Sequence, residues 1–235
     1  LLFGSFANVV ILRLPKGESV VFPRSRCTTC KQLIHFYDNI PVISWLFLRG
    51  KCRHCNAAIS FRYPLTELLT GILFAASYWS LGFSWFFLEI LVFVFVMVVV
   101  TFIDIDHRII PDSFSLSGIV LGLLGAALNP ERSFQDSLVG VILGGGFLWA
   151  IAYAYLLIRK EEGMGGGDIK LLAWMGAYLG WLSVPFIILA SSLAGSAFGL
   201  VLIVRGGNLK SAIPFGPFLV FAALLYLFAG NEIGM

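Results

Sequence analysis

Charged side chains are scarce in this chain of 235 residues, since Asp, Glu, Lys and Arg together make up 12% of it while hydrophobic residues make up 59%. Soluble domains usually carry about a quarter charged residues, so the composition excludes an ordinary water-soluble domain. The mean hydropathy of +0.92 agrees, because so much apolar surface requires lipid as its solvent. We therefore expect a membrane protein that contacts lipid and has no nucleic-acid partner; its net charge of +3 is modest.

Period-two alternation, low-complexity tracts and convincing short repeats are also missing from the sequence. Without alternation, the long apolar runs favour helices over strands. No cleavable signal peptide is expected, because the sequence opens directly on a short apolar stretch, which predicts a truncated first span. The fold expected is an all-α polytopic membrane protein with about eight transmembrane helices. We place them at residues 1–12, 65–81, 84–103, 113–128, 137–158, 169–181, 184–204 and 214–230.

Residues 13–64 differ from the rest of the chain, because they hold nine of the 16 basic residues and all four cysteines. They predict a small polar domain between the first helix, 1–12, and a transmembrane domain at 65–235. If the chain crosses the membrane eight times, fifteen of the 16 lysines and arginines lie on the same side of the membrane as this domain. Only Arg132 lies on the opposite side. Because basic loops stay in the cytoplasm, this distribution predicts a cytoplasmic domain at 13–64.

The four cysteines form two CxxC pairs, Cys27 with Cys30 and Cys52 with Cys55, separated by 21 residues. Two such pairs can surround one tetrahedral Zn²⁺ with four thiolates, and a reducing cytoplasm argues against disulfides. Four sulfur ligands leave no open position, so the sequence predicts a structural zinc site rather than a hydrolytic one. The alternatives are two disulfides or free thiols.

Two aspartates lie at the cytoplasmic ends of predicted spans, Asp104 at the end of the third and Asp168 at the beginning of the sixth. Hydrolysis of a peptide by two carboxyl groups needs one as base and one as acid, and a close pair meets this need because both members do not readily ionise together. Asp106 and Asp112 are alternatives on spacing alone, and any of these residues can also be an ordinary loop carboxylate. The sequence does not assign acid and base within the pair.

The residues around Asp168 suit a site that receives an extended chain. Gly165, Gly166 and Gly167 precede it and present no side chains, so the backbone of a substrate can approach closely. Lys170 follows two residues later and is a candidate to orient or stabilise a negative charge.

Several short motifs, taken in order, resemble the type IV prepilin peptidase family, a leader peptidase and N-methyltransferase family of GxGD membrane aspartic proteases. The resemblance implies that Asp104 and Asp168 are the catalytic pair, because in the family the first aspartate precedes a Pro-Asp by the interval seen here to Pro111-Asp112. Thr28 stands where relatives often have proline, which should leave metal binding unchanged. The matching residues are 4–6, 8–10, the two CxxC pairs, 39–41, 44–46, 50–53, 62–64, 67–68, 103–104, 111–112, 165–168 with Lys170, and 213–217.

The resemblance further implies a bacterial inner (plasma) membrane enzyme that cleaves the leader peptide from type IV prepilins or pseudopilins at the cytoplasmic face. Many relatives also methylate the newly exposed N-terminal amine with S-adenosylmethionine, so this second activity and cofactor are expected too. A prepilin carries a short basic leader before an apolar helix, which puts its scissile bond at the depth predicted for the aspartates. Glu67 either binds that leader or the new amine, or pairs with Arg62.

Two other functions fit parts of the pattern. A chain that is only a methyltransferase would keep methyl transfer when Asp168 is replaced by alanine. A non-enzymatic zinc-bearing membrane scaffold or transporter would leave precursor processing intact when Asp104 is replaced by asparagine. Secretion pseudopilins and competence pilins share the same leader and helix, so the sequence does not separate these substrates.

Overall fold

The computed structural model describes residues 1–161, 165–206 and 214–230. Within them the chain is largely helical, and its extended segments are limited to two isolated β-bridges. Lys210 and Ile213, used above in the charge count and the motif list, lie outside the described residues. The described helices are α1 Leu2–Arg13, α2 Ile43–Phe47, α3 Arg62–Leu81, α4 Trp85–His107, α5 Asp112–Leu128, α6 Phe134–Arg159, α7 Gly166–Leu179, α8 Ser183–Val204 and α9 Gly216–Ala229.

All of these helices except the short α2 coincide with one of the eight predicted apolar segments. Several are longer than predicted, because a helix continues past its apolar part into polar residues; α3, for example, begins at Arg62 rather than at 65. By length and composition, α4, α6 and α8 are able to cross a membrane, and α5 and α9 are shorter apolar helices. A helical membrane protein is thus confirmed, while a count of eight crossings stays a prediction.

Helix α7 lies at the centre of the larger core, packed against α4, α5 and α6. Glycines allow this close approach, since Gly140 of α6 and Gly176 of α7 meet backbone to backbone. The indole of Trp174 fills the place that a side chain at Gly118 of α5 would need. On its other edge Trp174 meets Phe93 of α4 in a T-shaped contact with ring centroids 5.8 Å apart. These contacts fix α7 on three sides.

Helices α1, α3 and α4 form a second packing unit beside this core. Ala7, Val10 and Ile11 of α1 are buried against Val99 and Ile103 of α4. This packing holds the last turns of α4 at a defined position.

The polar segment between α1 and α3 contains two hairpins, each closed by an isolated bridge, Arg26 with Leu33 and Lys51 with Ala58. Trp45 of α2 supports the second hairpin by donating from Nε1 to the carbonyl oxygen of Ile59 at 3.0 Å. The four cysteines lie on these two hairpins.

Candidate active site and metal centre

Asp104 lies in the last turn of α4, and its side chain is buried at 5% exposure although the helix ends only three residues later. Helix α4 ends where Arg108 takes a left-handed conformation with φ of 55° and donates its N–H to the Asp104 carbonyl oxygen. The carboxyl Oδ2 of Asp104 accepts a hydrogen bond from the backbone N–H of Gly216 at 3.0 Å. A residue near the end of an apolar helix is therefore turned inward rather than toward solvent.

Asp168 lies in the first turn of α7, where a negative charge is favoured by the helix dipole. Gly165 precedes the helix in an extended conformation, and its carbonyl oxygen accepts the N–H of Asp168 at 3.3 Å. The Asp168 side chain is half-buried. A Cβ built on Gly165 or Gly166 would meet no atom of the described residues within 4 Å, so none of these residues covers the approach to Asp168 on that side.

Ile110 lies between the two helix ends that carry the aspartates. Its Cβ would be 3.0 Å from a Cβ built on Gly167, and its Cδ1 would be 3.4 Å from one built on Gly216. Gly167 adjoins Asp168 in the chain, and Gly216 contacts Asp104, so both aspartates border one small region. The structure thus brings together two residues that are 64 positions apart.

The two alternative aspartates are paired with cations instead. Both carboxylate oxygens of Asp106 lie 2.6 Å from Nη1 of Arg62, and Nη2 of the same guanidinium donates to the Phe102 carbonyl oxygen at 3.1 Å. Asp112 accepts from Lys170 Nζ at 2.6 Å. Lys170 therefore links α7 to α5 and is not directed at the aspartate pair.

Glu67 is buried and holds the cysteine-bearing segment against the helices. Its Oε2 accepts the backbone N–H of Val42 at 2.8 Å. Val42 has φ of 63°, which is unusual for a β-branched residue and marks a strained point. Gly4 of α1 packs on the Glu67 backbone, where no side chain would fit. The ion pair with Arg62, one of the two expected roles for Glu67, is not formed, since Arg62 binds Asp106.

The sulfur atoms of Cys27, Cys30, Cys52 and Cys55 all lie within 4.8 Å of one another. With a Zn–S distance of about 2.3 Å, the sulfurs of a tetrahedral zinc site lie about 3.8 Å apart. The Cys27 and Cys55 sulfurs are 3.8 Å apart, so the donor set fits such an ion. A site able to bind a metal, as predicted from the spacing, is therefore confirmed.

The two hairpins repeat one local geometry. The residue after each CxxC pair has positive φ, 60° at Lys31 and 56° at Asn56. Each of these residues donates its N–H to the carbonyl oxygen of the first cysteine of its pair, Cys27 at 3.0 Å and Cys52 at 2.9 Å. Apart from the cysteines, the two hairpin sequences share only a basic residue before each pair, Ile34 with Ile59 and Phe36 with Phe61, and so short a match does not stand out as a repeat.

Local hydrogen bonds lower the pKa values of two groups in this segment, the Cys27 thiol and the Asp38 carboxyl group. The backbone N–H groups of Cys30 and Thr29 lower the pKa of the Cys27 thiol to about 6. The Arg53 guanidinium, which donates to both oxygens of Asp38 at 2.8 and 2.6 Å, lowers the pKa of that carboxyl. Backbone donors to a thiolate favour the form of cysteine that binds metal.

Two contributors to the aspartate site were not identified from the sequence. Gly216 belongs to the matching motif at 213–217, but the motif alone does not indicate what the glycine does. Ile110 precedes Pro111-Asp112, and nothing else in the sequence marks it as part of the site. Both act through the position of a backbone or an aliphatic side chain, which residue type does not reveal.

Comparisons with known proteins identify the family. Residues 1–81 match the Bacterial Peptidase A24 N-terminal domain, and residues 91–200 match the Type IV leader peptidase family. Proteins named "Prepilin leader peptidase/N-methyltransferase" are similar along the chain. That of Aeromonas salmonicida is 39% identical over 259 residues, covering 99% of this chain and 89% of the relative. That of Pseudomonas aeruginosa is 37% identical over 257 residues with the same coverage, and that of Dichelobacter nodosus is 38% identical over 267 residues, covering 100% and 90%. No solved structure matches significantly. The chain belongs to the type IV leader peptidase family.

Proposed function

We propose that this protein is an aspartic endopeptidase of the bacterial inner membrane that removes the leader peptide from type IV prepilins or pseudopilins. Asp104 and Asp168 are its catalytic pair. One observation carries the proposal: a buried carboxyl group at the end of α4 and a half-buried one at the beginning of α7 border the same region beside Ile110. The name shared by the relatives supports the substrate class.

The chemistry needs only water and these two groups. One carboxylate takes a proton from water as the water oxygen attacks the carbonyl carbon of the scissile peptide bond. The other carboxyl group gives its proton to the carbonyl oxygen, producing a tetrahedral diol. The diol collapses as the C–N bond breaks and a proton passes to the leaving nitrogen. Two carboxyl groups with different surroundings, as Asp104 and Asp168 have, are suited to sharing one proton in this way.

The substrate reaches the pair as an extended segment beside Gly165 and Gly166, where no side chain from the described part of the chain lies within 4 Å. Gly167 is needed for a different reason, since a side chain there would press on Ile110 at 3.0 Å. Lys170 supports the site indirectly by tying α7 to Asp112, and Glu67 does so by holding Val42. In the predicted topology this end of the bundle and the domain at 13–64 face the cytoplasm, and lipid surrounds the helices.

A Zn²⁺ ion held by Cys27, Cys30, Cys52 and Cys55 is proposed as a structural element. Four thiolates complete its tetrahedral coordination, so the ion supplies cohesion between the two hairpins. The residues present fit this role, since their sulfurs already lie at the required separation.

Methylation of the new N-terminal residue with S-adenosylmethionine is proposed from the relatives' name. A cavity of about 410 Å³ lies between the first hairpin and α1, and its lining does not fit that cofactor. Its described lining includes Arg24 and Asn39 but no acidic side chain, which would be needed to bind the sulfonium cation and the ribose hydroxyls of S-adenosylmethionine. No step of methyl transfer is therefore assigned to particular residues.

The test is cleavage of a prepilin by the full chain in membranes. Asp104→Asn and Asp168→Asn should each abolish cleavage at unchanged protein level, while Asp106→Asn, two residues from Asp104 but paired with Arg62, should keep it. Cleavage that persists in either of the first two variants would overturn the proposal. Methyl transfer without cleavage in the wild type would identify a methyltransferase alone, and neither activity would favour a scaffold.

A further inference from the structure

The hydrogen bond from Gly216 to Asp104 joins residues 112 positions apart and is buried. Gly216 is the first residue of α9, so its N–H has no acceptor within its own helix. The donor is thus available, and it lies 3.0 Å from Asp104 Oδ2. The helix dipole of α9 adds partial positive charge at the same point.

Position 216 also has no room for a side chain. A Cβ built there would lie 2.7 Å from Oδ2 and 3.2 Å from Cγ of Asp104, and 3.4 Å from Cδ1 of Ile110. The first distance is shorter than real Cβ contacts, so either the carboxyl group or α9 would have to move. The Ile110 side chain has little room to move away, because it also packs against Gly167.

The consequence concerns the orientation of the carboxyl group. Rotation about the last bond of an aspartate side chain is soft, so burial alone does not fix which oxygen faces which neighbour. A fixed donor on Oδ2 sets the plane of the group and leaves Oδ1 for a water molecule and for Asp168.

We propose that Gly216 is a positioning residue of the catalytic centre: its backbone N–H orients the Asp104 carboxyl group, and its missing side chain admits that group to the N-terminus of α9. The centre is then built from three helix ends, those of α4, α7 and α9. This inference rests on the proposed catalytic role of Asp104.

Kinetics of Gly216→Ala test the inference against two matched variants. Among the described residues, a Cβ at Gly195 of α8 would lie 3.7 Å from its nearest neighbour, and one at Gly146 of α6 would have no neighbour within 4 Å. We expect Gly216→Ala to lower kcat by about 100-fold with KM nearly unchanged, since small misplacements of reacting groups have effects of this order. Gly195→Ala and Gly146→Ala should stay within about twofold of wild type.

The outcomes separate this inference from the proposed function. If Asp104→Asn is inactive while Gly216→Ala matches the two control variants, the positioning role of Gly216 is wrong and the catalytic pair stands. If Asp104→Asn is active, the proposed function itself is wrong.

A spectroscopic test does not depend on how well Gly216→Ala folds. The chain has three Phe-Gly pairs, at 3–4, 198–199 and 215–216, so labelling with ¹³C′-phenylalanine and ¹⁵N-glycine selects three amide resonances. We expect one of them to move strongly upfield in Asp104→Ala, which removes the acceptor, and to remain in place in Asp106→Ala. Three resonances that stay unchanged in Asp104→Ala would overturn the inference.

Discussion

The guanidinium group of Arg132 and the carboxylate of Glu89 form a buried ion pair, with 6% and 13% of their side chains exposed. Arg132 also donates to the carbonyl oxygens of Ala177 and Tyr178 in the last turn of α7. The pair therefore caps the end of α7 opposite to Asp168. Glu89 is the only charged residue within the predicted third span, 84–103, and Arg132 is the only basic residue predicted on the outer side of the membrane. The ion pair explains why both charges lie there.

Replacing Arg132 by methionine should strongly destabilise the protein, because the Glu89 carboxylate would remain buried without its partner. Removing one partner of a buried ion pair lowers the free energy of unfolding by about 3–5 kcal/mol. Replacing both residues, Glu89→Leu with Arg132→Met, should be less harmful than the single change. The measurement is the midpoint of unfolding in detergent, with Arg159→Met at the exposed end of α6 as the control. A single variant as stable as this control would show that the ion pair does not anchor α7.

Adding a methyl group at Gly176 should force α6 and α7 apart, since its Cβ would collide with the backbone of Gly140. Such overpacking lowers the free energy of unfolding by about 1–3 kcal/mol. Prepilin cleavage should fall as well, because α7 carries Asp168. Gly146→Ala, which has open space around it, should be neutral or slightly stabilising because alanine favours helices. Equal unfolding midpoints for Gly176→Ala and Gly146→Ala would contradict the close backbone contact.

Exchange of the metal should leave peptide cleavage intact. Purified protein should contain about one zinc ion per chain by elemental analysis. Cd²⁺, which also accepts four thiolates in a tetrahedron, should replace it and support the same cleavage rate. Cys52→Ser should lose the metal, whereas His54→Ala, in the same hairpin, should retain it. If the cleavage rate differed between the zinc-bound and cadmium-bound protein, the ion would take part in catalysis and a purely structural role would be refuted.

Alkylation of the metal-free protein should begin at Cys27. With a pKa of about 6, this thiol is largely a thiolate at pH 7, and its reactivity should be lost as pH falls through that value. An ordinary cysteine, with a pKa of about 8.5, reacts slowly at pH 7. Mass spectrometry of iodoacetamide-treated protein between pH 5 and 9 gives the midpoint. A midpoint for Cys27 near that of an ordinary thiol would mean that the backbone donors of Thr29 and Cys30 do not act on it.

The sequence predicted the long helices well because each depends on a continuous apolar run, as in 84–103 for α4. It predicted the four-cysteine cluster equally well, because two CxxC pairs have few other uses at that spacing. It left Glu67 between two roles, and the structure gave the residue a third partner, the N–H of Val42. That contact joins segments whose separation in the chain carries no information about their distance in space.

By itself, the sequence determined that the chain is helical, suited to lipid and provided with a compact thiolate site. These features follow from the local order of residues. Only the tertiary structure decided that Asp104 and Asp168 border one region, that Asp106 and Asp112 are paired with cations, and that the N-terminus of α9 reaches Asp104. Those relationships depend on how glycines and aromatic rings set the distances between helices, which no single segment of the chain encodes.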